Sequence, residues 1–313
     1  MLKLIQQVNS LMNKLIKRLN KGEEKMKKKK MMSVIVAMML VVGMLGCSKE
    51  SGEGDTSKEK STKEGYKFGF TEWAAGSFFD ACYDGVMSVV EEKGGEVIRV
   101  GPALMLLKEA GIPVVNFDLA VANTDDVDAF VATDHYSAGV VAGEHMIKDY
   151  PEGGKIAILD RTNDNAASQR IEGLLDTVGE KFEVVSRLDG GGKPETGLSI
   201  TEDILQANPD LVAIYCINDE CAQGAYSAIT ASGKNIGIYS ANGGPEAKAA
   251  IKKDGAEGIW KCTAAQSPFT VGQKSAEVAY KILEGKDFEK ETLISTFAID
   301  ASNVSEYSDS DWQ

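Results

Sequence analysis

The chain has 313 residues, of which 43% are hydrophobic and 26% charged, so it is long enough for two folded domains. Residues 1–46 hold ten of the 34 Lys and Arg residues and two of the 47 Asp and Glu residues, which makes this front +8 and the remainder −21. A body this acidic argues against binding to nucleic acid or to an anionic membrane surface by charge.

The basic front is laid out as an export signal. Four lysines, Lys27 to Lys30, precede the apolar run "MMSVIVAMMLVVGMLG", which stops at Cys47 and is short for a membrane span of about 20 residues. Met44 to Cys47 resembles a bacterial lipobox, in which the cysteine is lipidated and becomes the mature N-terminus. We expect an exported protein that is lipid-anchored through Cys47 to the outer face of the cell membrane; an uncleaved anchor is the alternative.

The segments on either side of this signal are predicted to be unfolded or untranslated. Residues 1–25 do not fit an export signal, and "KGEEKM" is what a purine-rich ribosome-binding site gives when it is translated as coding sequence. We therefore expect that the true start is Met26 and that residues 1–25 result from a start-site miscall. Residues 1–46 are therefore assigned as the signal peptide region. The polar stretch 47–65 is low in apolar residues and is predicted to be a flexible tether.

From Tyr66 onward, strand-like and helix-like segments alternate. Ser77 is a candidate N-cap of the first helix, and Cys82, Val86 and Val90 contribute to its apolar stripe. This alternation predicts parallel sheets covered by helices on both faces. In such sheets ligands bind beyond the carboxyl ends of the strands, and those ends carry polar and aromatic groups: "TEW", "NFD", "ATD", "LDR", "IND" and "SAN".

The segments "SFFDACYDGV", "EAGIPVVNFD", "VATDHYSAG", "EDILQANPDLVAIYCINDECAQGA" and "KILEGK" together resemble the type I periplasmic sugar-binding proteins. The resemblance implies an α/β fold with two Rossmann-like lobes, parallel sheets and three crossing segments near 133–134, 266–267 and 293–295. It places the N-lobe at 66–133 plus 267–293 and the C-lobe at 134–266 plus 294–313. It also implies that the lobes close on a monosaccharide.

Sugar capture needs aromatic faces for the C–H surface of the ring and planar polar groups for adjacent hydroxyls. The resemblance and the strand ends together yield the candidate ligand-binding residues Glu72, Trp73, Phe78, Phe79, Asp118, Thr133, Arg170, Asn218, Asn242 and Gln266. Purely structural roles stay open as alternatives: core packing for Trp73 and the phenylalanines, a turn carboxylate for Asp118, and a surface salt bridge for Arg170.

Two departures from the family pattern bear on the identity of the sugar. Asn242 stands where the family usually has Asp, and an amide can donate as well as accept. Where relatives often place an aromatic residue on the second lobe, this chain has Gly190 to Gly192. We therefore expect one stacking surface to be missing, and the sugar, a pentose or a hexose, stays open.

Catalytic, metal and cofactor sites are not indicated. His135 and His145 are ten residues apart, which is not the spacing of a helical metal pair, and "GGGK" lacks the spacing of a phosphate-binding loop. Cys82, Cys216, Cys221 and Cys262 are expected to be small buried side chains, although export permits a disulfide between Cys216 and Cys221. We expect a protein that is not an enzyme and has no cofactor.

The leading functional hypothesis is a monomeric solute-binding lipoprotein that delivers a monosaccharide to the permease and ATPase subunits of an ABC importer. The alternatives are a sensor or chemoreceptor ligand-binding protein for a sugar-like signal, and a sugar-responsive transcription regulator. The signal peptide and the lack of a basic helix-turn-helix argue against the regulator.

One junction is unusually short. In "GGEVIRVGPALMLLKEAGIPVVNFD", only residues 101–111 connect two strand-like runs, close to the minimum of about 10–12 residues for a parallel crossover. Relatives place one further helix and one further strand after the "EVIRV" strand, so the N-lobe is predicted to carry an internal deletion after Val100. Either the flanking strands pair directly, or the N-lobe is destabilised and binding is impaired or lost.

Overall fold

The computed structural model describes residues 65–72, 76–99, 107–108, 110–121, 123–308 and 310–312. The predicted signal region, Cys47, Trp73 and the junction at 100–106 lie outside the described residues. Within the described ranges, no helix has both the length and the apolar character needed to cross a membrane.

Strands and helices alternate along the described chain, as predicted. In chain order they are β1 (Lys67–Phe70), α1 (Ser77–Glu92), β2 (Glu96–Arg99), β3 (Val115–Phe117), β4 (Ala129–Thr133), α2 (His135–Asp149), β5 (Gly154–Asp160), α3 (Asn165–Val178), β6 (Phe182–Asp189), α4 (Pro194–Ala207), β7 (Leu211–Cys216), α5 (Asp219–Ser232), β8 (Gly237–Asn242), α6 (Pro245–Asp254), β9 (Trp260–Ala265), α7 (Pro268–Leu283), β10 (Glu291–Ile294) and β11 (Phe297–Asp300).

The C-lobe is built on a six-stranded sheet with the order β11-β9-β8-β7-β5-β6. Strands β5 ("GKIAILD") and β7 ("LVAIYC") are apolar runs that are almost wholly buried, because helices cover both faces of the sheet. Cys82 of the N-lobe and the C-lobe residues Cys216, Cys221 and Cys262 are buried and not bonded to one another. The four cysteines are thus small buried side chains, as expected, and the disulfide that export would permit between Cys216 and Cys221 is not formed.

One strand departs from the predicted parallel arrangement. Strand β11 runs antiparallel to β9, with Phe297 opposite Ala265 and Asp300 opposite Cys262. Only two residues separate β10 from β11, and a parallel pairing needs a crossover of roughly a dozen residues. The chain therefore enters the C-lobe sheet beside the carboxyl end of β9 and runs back along it.

The N-lobe strands form two separate sheets in the described part of the chain. Strand β1 pairs in parallel with β2, whereas β3 and β10 flank β4 in a second parallel sheet. The two sheets share one apolar core, where the rings of Phe70 and Phe117 lie 5.2 Å apart. Strands β1 and β3 thus meet through side chains and do not share a ladder of backbone hydrogen bonds.

The chain passes between the lobes three times. The first two passages follow β4 at Thr133 and β9 at Gln266, and the third lies at 295–296, between β10 and β11. The third passage was predicted at 293–295, with residue 294 in the C-lobe. That assignment was wrong by a residue or two, because Ile294 is still in register with Thr133 of the N-lobe sheet.

Helices pack in pairs through reciprocal glycines. A Cβ atom at Gly85 of α1 would lie 2.0 Å from the Phe269 carbonyl oxygen, and one at Gly272 of α7 would lie 1.9 Å from the Cys82 carbonyl oxygen. Gly139 and Gly173 join α2 to α3 in the same way, and Gly197 and Gly224 join α4 to α5. Each pair needs a position without a side chain, because the helix backbones approach so closely.

Candidate functional site

A cleft of about 270 Å³ lies between the lobes at the carboxyl ends of the strands. Its wall includes seven of the ten predicted ligand residues: Phe78, Phe79, Asp118, Arg170, Asn218, Asn242 and Gln266. These residues come from four strand ends or helix starts, from the second turn of α3 and from the second passage between the lobes. The fold therefore brings together side chains that are up to 188 positions apart in the sequence.

The N-lobe side of the cleft is aromatic and acidic. Phe78 and Phe79 occupy the first turn of α1, with ring centroids 5.3 Å apart at an interplanar angle of 81°. Phe79 is 7% exposed and also packs on Phe117, so it serves the core as well as the cleft wall. Asp118 follows β3, and its backbone N–H donates to the Val131 carbonyl oxygen at 3.0 Å.

The C-lobe side carries a hydrogen-bonded network centred on Asn242. The side-chain oxygen of Asn242 accepts from Gln266 Nε2 at 2.7 Å and from Arg170 at 3.3 Å. Its Nδ2 donates to Glu220 at 3.1 Å. An aspartate could accept the first two bonds but could not donate the third, so the amide at this position uses both of its capacities.

Arg170 is buried, so it does not form a surface salt bridge, which was the structural alternative for this residue. Its guanidinium donates to the Ile217 carbonyl oxygen, to Asn242 and to His135 Nδ1, the last at 3.3 Å. Burial and the neighbouring Arg170 lower the pKa of His135 to about 3, so the imidazole is neutral at physiological pH. Because Nδ1 accepts from the guanidinium, the ring proton lies on Nε2.

Several buried polar atoms of this network have no hydrogen-bond partner within the described part of the chain. They include His135 Nε2, Arg170 Nε and Gln266 Oε1. Buried polar groups are nearly always hydrogen-bonded, and leaving one unpaired costs roughly 1–3 kcal/mol. A cluster of such atoms beside a cleft favours a ligand that supplies donors and acceptors of its own.

Asn218 has two structural bonds besides its place in the cleft. Its side-chain oxygen caps α5 by accepting from the Cys221 backbone N–H at 3.0 Å, and its Nδ2 donates to the Gly192 carbonyl oxygen at 3.1 Å. The second bond ties the glycine turn at 190–192 against the cleft. A Cβ atom at Gly192 would lie 3.1 Å from Asn218 Nδ2, so this close approach favours glycine.

The backbone is strained at two residues of the cleft. Asp118 has φ 66° and Asn242 has φ 138°; of the non-glycine residues described, only these two and Asn163 have positive φ. Such conformations cost of order 1–3 kcal/mol each and are concentrated at ligand-binding sites. Both residues directly end or follow a strand, where the backbone turns to direct the side chain towards the cleft.

Two predicted ligand residues lie elsewhere. The Glu72 carboxylate accepts two hydrogen bonds from Arg99 at 2.8 and 3.0 Å, which hold it at the ends of β1 and β2. Thr133, the last residue of β4, is 3% exposed and does not line the cleft, because its position in the middle of the three-stranded sheet buries it. Neither Glu72 nor Thr133 is part of the described cleft wall, so their role in ligand binding stays a prediction, and Trp73 lies outside the described residues.

The cleft also contains residues that the sequence analysis missed. His135, Arg161, Asp164, Glu220 and Trp312 line it. A signal existed for two of them, because Arg161 directly follows β5 and Asp164 caps α3 by accepting from the Ala167 backbone N–H at 2.8 Å. His135 had been considered only as a metal ligand. Nothing in the sequence pattern indicated Trp312, which follows the last strand by twelve residues.

Comparisons with known proteins agree with this architecture. The profile of the family described as "Periplasmic binding protein domain" matches residues 98–287. The ribose import binding protein of Salmonella typhimurium is 33% identical over 190 residues, which cover 60% of this chain and 62% of that protein. That of Bacillus subtilis is 31% identical over 192 residues, 61% of each chain. This chain thus spans less than two thirds of the length of these relatives.

Among solved structures, a periplasmic solute-binding protein of an ABC transporter from Actinobacillus succinogenes, solved with bound D-allose, superposes with a TM-score of 0.69. It is 17% identical and the match covers 78% of this chain and 100% of that one, so the likeness establishes the fold. The predicted family and the predicted two-lobed α/β fold class are confirmed.

Proposed function

The chain belongs to the periplasmic binding protein family, and on that premise we propose that it captures a monosaccharide between its two lobes and delivers it to an ABC sugar importer. The activity is binding and delivery, without a chemical step or a cofactor. The partners are a pentose or hexose and the permease and ATPase subunits of the importer. The protein binds the importer as a monomer, with its ligand enclosed between the lobes.

The observation that carries this proposal is the division of the cleft into an aromatic side and a polar side. Phe78 and Phe79 face a set of planar groups formed by Arg170, Asn242 and Gln266. A sugar ring has the same division, with C–H faces and a rim of adjacent hydroxyls that planar groups bind two at a time.

We assign roles to the predicted residues on this basis. Phe78 stacks on the ring, and Asp118 accepts from hydroxyls on the N-lobe side. Asn218, Asn242, Gln266 and Arg170 bind hydroxyls on the C-lobe side. A site of this kind rejects an analogue that lacks one hydroxyl, because a buried polar group is then left unpaired.

Titration calorimetry against a panel of pentoses, hexoses and acyclic polyols tests the proposal. We expect saturable heat with at least one cyclic sugar, with a dissociation constant above the micromolar range because the N-lobe sheet is divided. Asp118→Ala should weaken binding at least tenfold, the equivalent of about 1.4 kcal/mol. Asp176→Ala, at an exposed carboxylate of α3 outside the cleft, should leave the affinity unchanged. Absence of heat with every compound would contradict the proposal.

Export and anchoring extend the proposal to the front of the chain. Lys27 to Lys30, the apolar run and Cys47 support secretion followed by lipidation of Cys47. The segment 47–65 would then tether the binding lobes to the outer face of the membrane, and residues 1–25 would precede the true start. A tether keeps the protein close to its importer and raises their effective concentration.

A further inference from the structure

The segment that follows β11, residues 301–312, crosses back to the mouth of the cleft. Its contacts with the C-lobe include a hydrogen bond near its end and a ring contact. The buried Lys248 of α6 donates through Nζ to the Asp311 carbonyl oxygen, and the ring of Tyr307 stacks on Phe297 with centroids 5.6 Å apart at 28°. The next residue after Asp311 is Trp312, whose position is therefore set by the C-lobe.

Trp312 nevertheless touches the N-lobe. Its indole Nε1–H donates to Ser77 Oγ at 3.1 Å, and its ring meets Phe78 edge to face, with centroids 5.4 Å apart at 88°. Ser77 was predicted to cap α1, but it is the first residue of the helix, with Gly76 at the N-cap position, and its hydroxyl accepts from the indole. One side chain thus bridges the two lobes at the first turn of α1.

The cleft lacks another large aromatic ring on the C-lobe side. Among the described residues of that wall, the strands and helices of the C-lobe contribute no Phe, Tyr or Trp. The turn at 190–192, where the family resemblance implies an aromatic residue, consists of glycines. Trp312 lines the cleft and stands at right angles to Phe78, so the two rings form a corner.

We propose that Trp312 is the second aromatic wall of the ligand site and that it closes the cleft between the lobes. This inference rests on the proposed function for its ligand, a cyclic monosaccharide whose C–H face lies on the indole. An acyclic polyol has no such face, so Trp312 makes the site selective for ring-form sugars over polyols. The bond from Nε1–H to Ser77 fixes the plane of the indole for this contact.

Calorimetry on Trp312→Ala and Trp312→Phe tests the wall. Loss of the indole should weaken binding of the best cyclic sugar about tenfold, since an aromatic contact and its buried area are lost together. The phenylalanine variant should recover most of that affinity, and polyol binding should change less than about threefold in both variants. Tyr136→Ala, at an exposed aromatic of α2 outside the cleft, is the matched control. Unchanged or tighter sugar binding in Trp312→Ala overturns the inference.

A second measurement needs no ligand. The difference in fluorescence between the wild type and Trp312→Phe reports Trp312, and acrylamide should quench it several-fold less than free tryptophan amide. Quenching at the rate of the free compound overturns the inference whether or not sugar binds. A wild type that binds no sugar while Trp312 stays shielded overturns the proposed function and supports the contact that closes the cleft.

Discussion

Asp219 lies next to the ligand-site residue Asn218 and holds the backbone around the site through its hydrogen bonds. Its carboxylate, 2% exposed, accepts from Ser240 Oγ at 2.6 Å, from Thr263 Oγ1 at 2.7 Å and from the Gly244 backbone N–H at 2.7 Å. These bonds fix the loop that follows β8 and thereby the strained Asn242. Burial raises the pKa of Asp219 to about 7, because three neutral donors do not fully replace water.

The raised pKa has a definite consequence for stability. Between the ordinary value of about 3.9 and about 7, the folded protein holds a proton that the unfolded chain has released. The contribution of this carboxyl to the free energy of unfolding is therefore complete below the ordinary pKa. It is lost as the pH rises towards the folded pKa, by up to about 1.4 kcal/mol per pH unit.

Asp219→Asn removes this titration and disturbs its three bonds. We expect the variant to be less stable than the wild type at low pH, with a deficit that shrinks as the pH rises through that window. Urea unfolding at a series of pH values between about 4 and 7 measures the difference. Asp203→Asn, at an exposed position of α4, is the control. A deficit that does not vary with pH would show that Asp219 is charged throughout this range.

At the scale of elements, we expect the two-stranded sheet of β1 and β2 to be less stable than the C-lobe sheet. Strand β1 has one buried residue of four and β2 has none, whereas five of the seven residues in β5 are buried. A two-stranded sheet is marginal without further strands or helices to cover it. Here α1 and the aromatic contact between Phe70 and Phe117 cover one face.

An internal deletion after Val100 would account for this division, and it stays a prediction. Of the two outcomes considered from the sequence, direct pairing of the flanking strands is not found in the described residues. In the described residues the C-lobe has one continuous sheet, whereas the two N-lobe sheets meet through side-chain packing. The edges of β1 and β3 that have no neighbouring strand within the described residues are also sites where foreign strands can add.

Hydrogen exchange should reveal this difference between the lobes. We expect backbone amides of β1 and β2 to exchange at least roughly tenfold faster than those of β5 and β7, because local opening of a small sheet exposes little apolar surface. Exchange followed by mass spectrometry measures both lobes in one sample, so the C-lobe strands are the internal control. Equal protection in the two lobes would contradict the predicted destabilisation of the N-lobe.

At the scale of the whole molecule, the charge distribution matches the proposed placement. The front carries +8 and the remainder −21, so lysines precede the apolar run and an acidic body follows it. An acidic body is repelled by an anionic membrane surface, and a covalent lipid would supply the attachment that charge does not. The site lies between lobes that the chain connects three times, a geometry suited to hinge closure.

Cys47→Ser tests the anchor. We expect the wild type to incorporate radioactive palmitate in a bacterial host and the variant to lose that label completely, because no other residue of the predicted lipobox can form the thioether. Ser48→Ala should retain the label. A wild type that fractionates with membranes but takes up no label would favour the uncleaved anchor instead.

The sequence by itself determined the element order, the family and seven residues of the cleft wall. Hydrophobic runs and their spacing are local properties, and the polar residues that end parallel strands meet at one edge whatever the details of packing. Only the tertiary structure decided the rest. The Glu72 carboxylate accepts hydrogen bonds from Arg99, and the two-residue connection after β10 makes β11 antiparallel to β9. The bond from Lys248 to Asp311 holds the neighbouring Trp312 at the cleft. These outcomes depend on which distant groups come within a few ångströms, which no local pattern encodes.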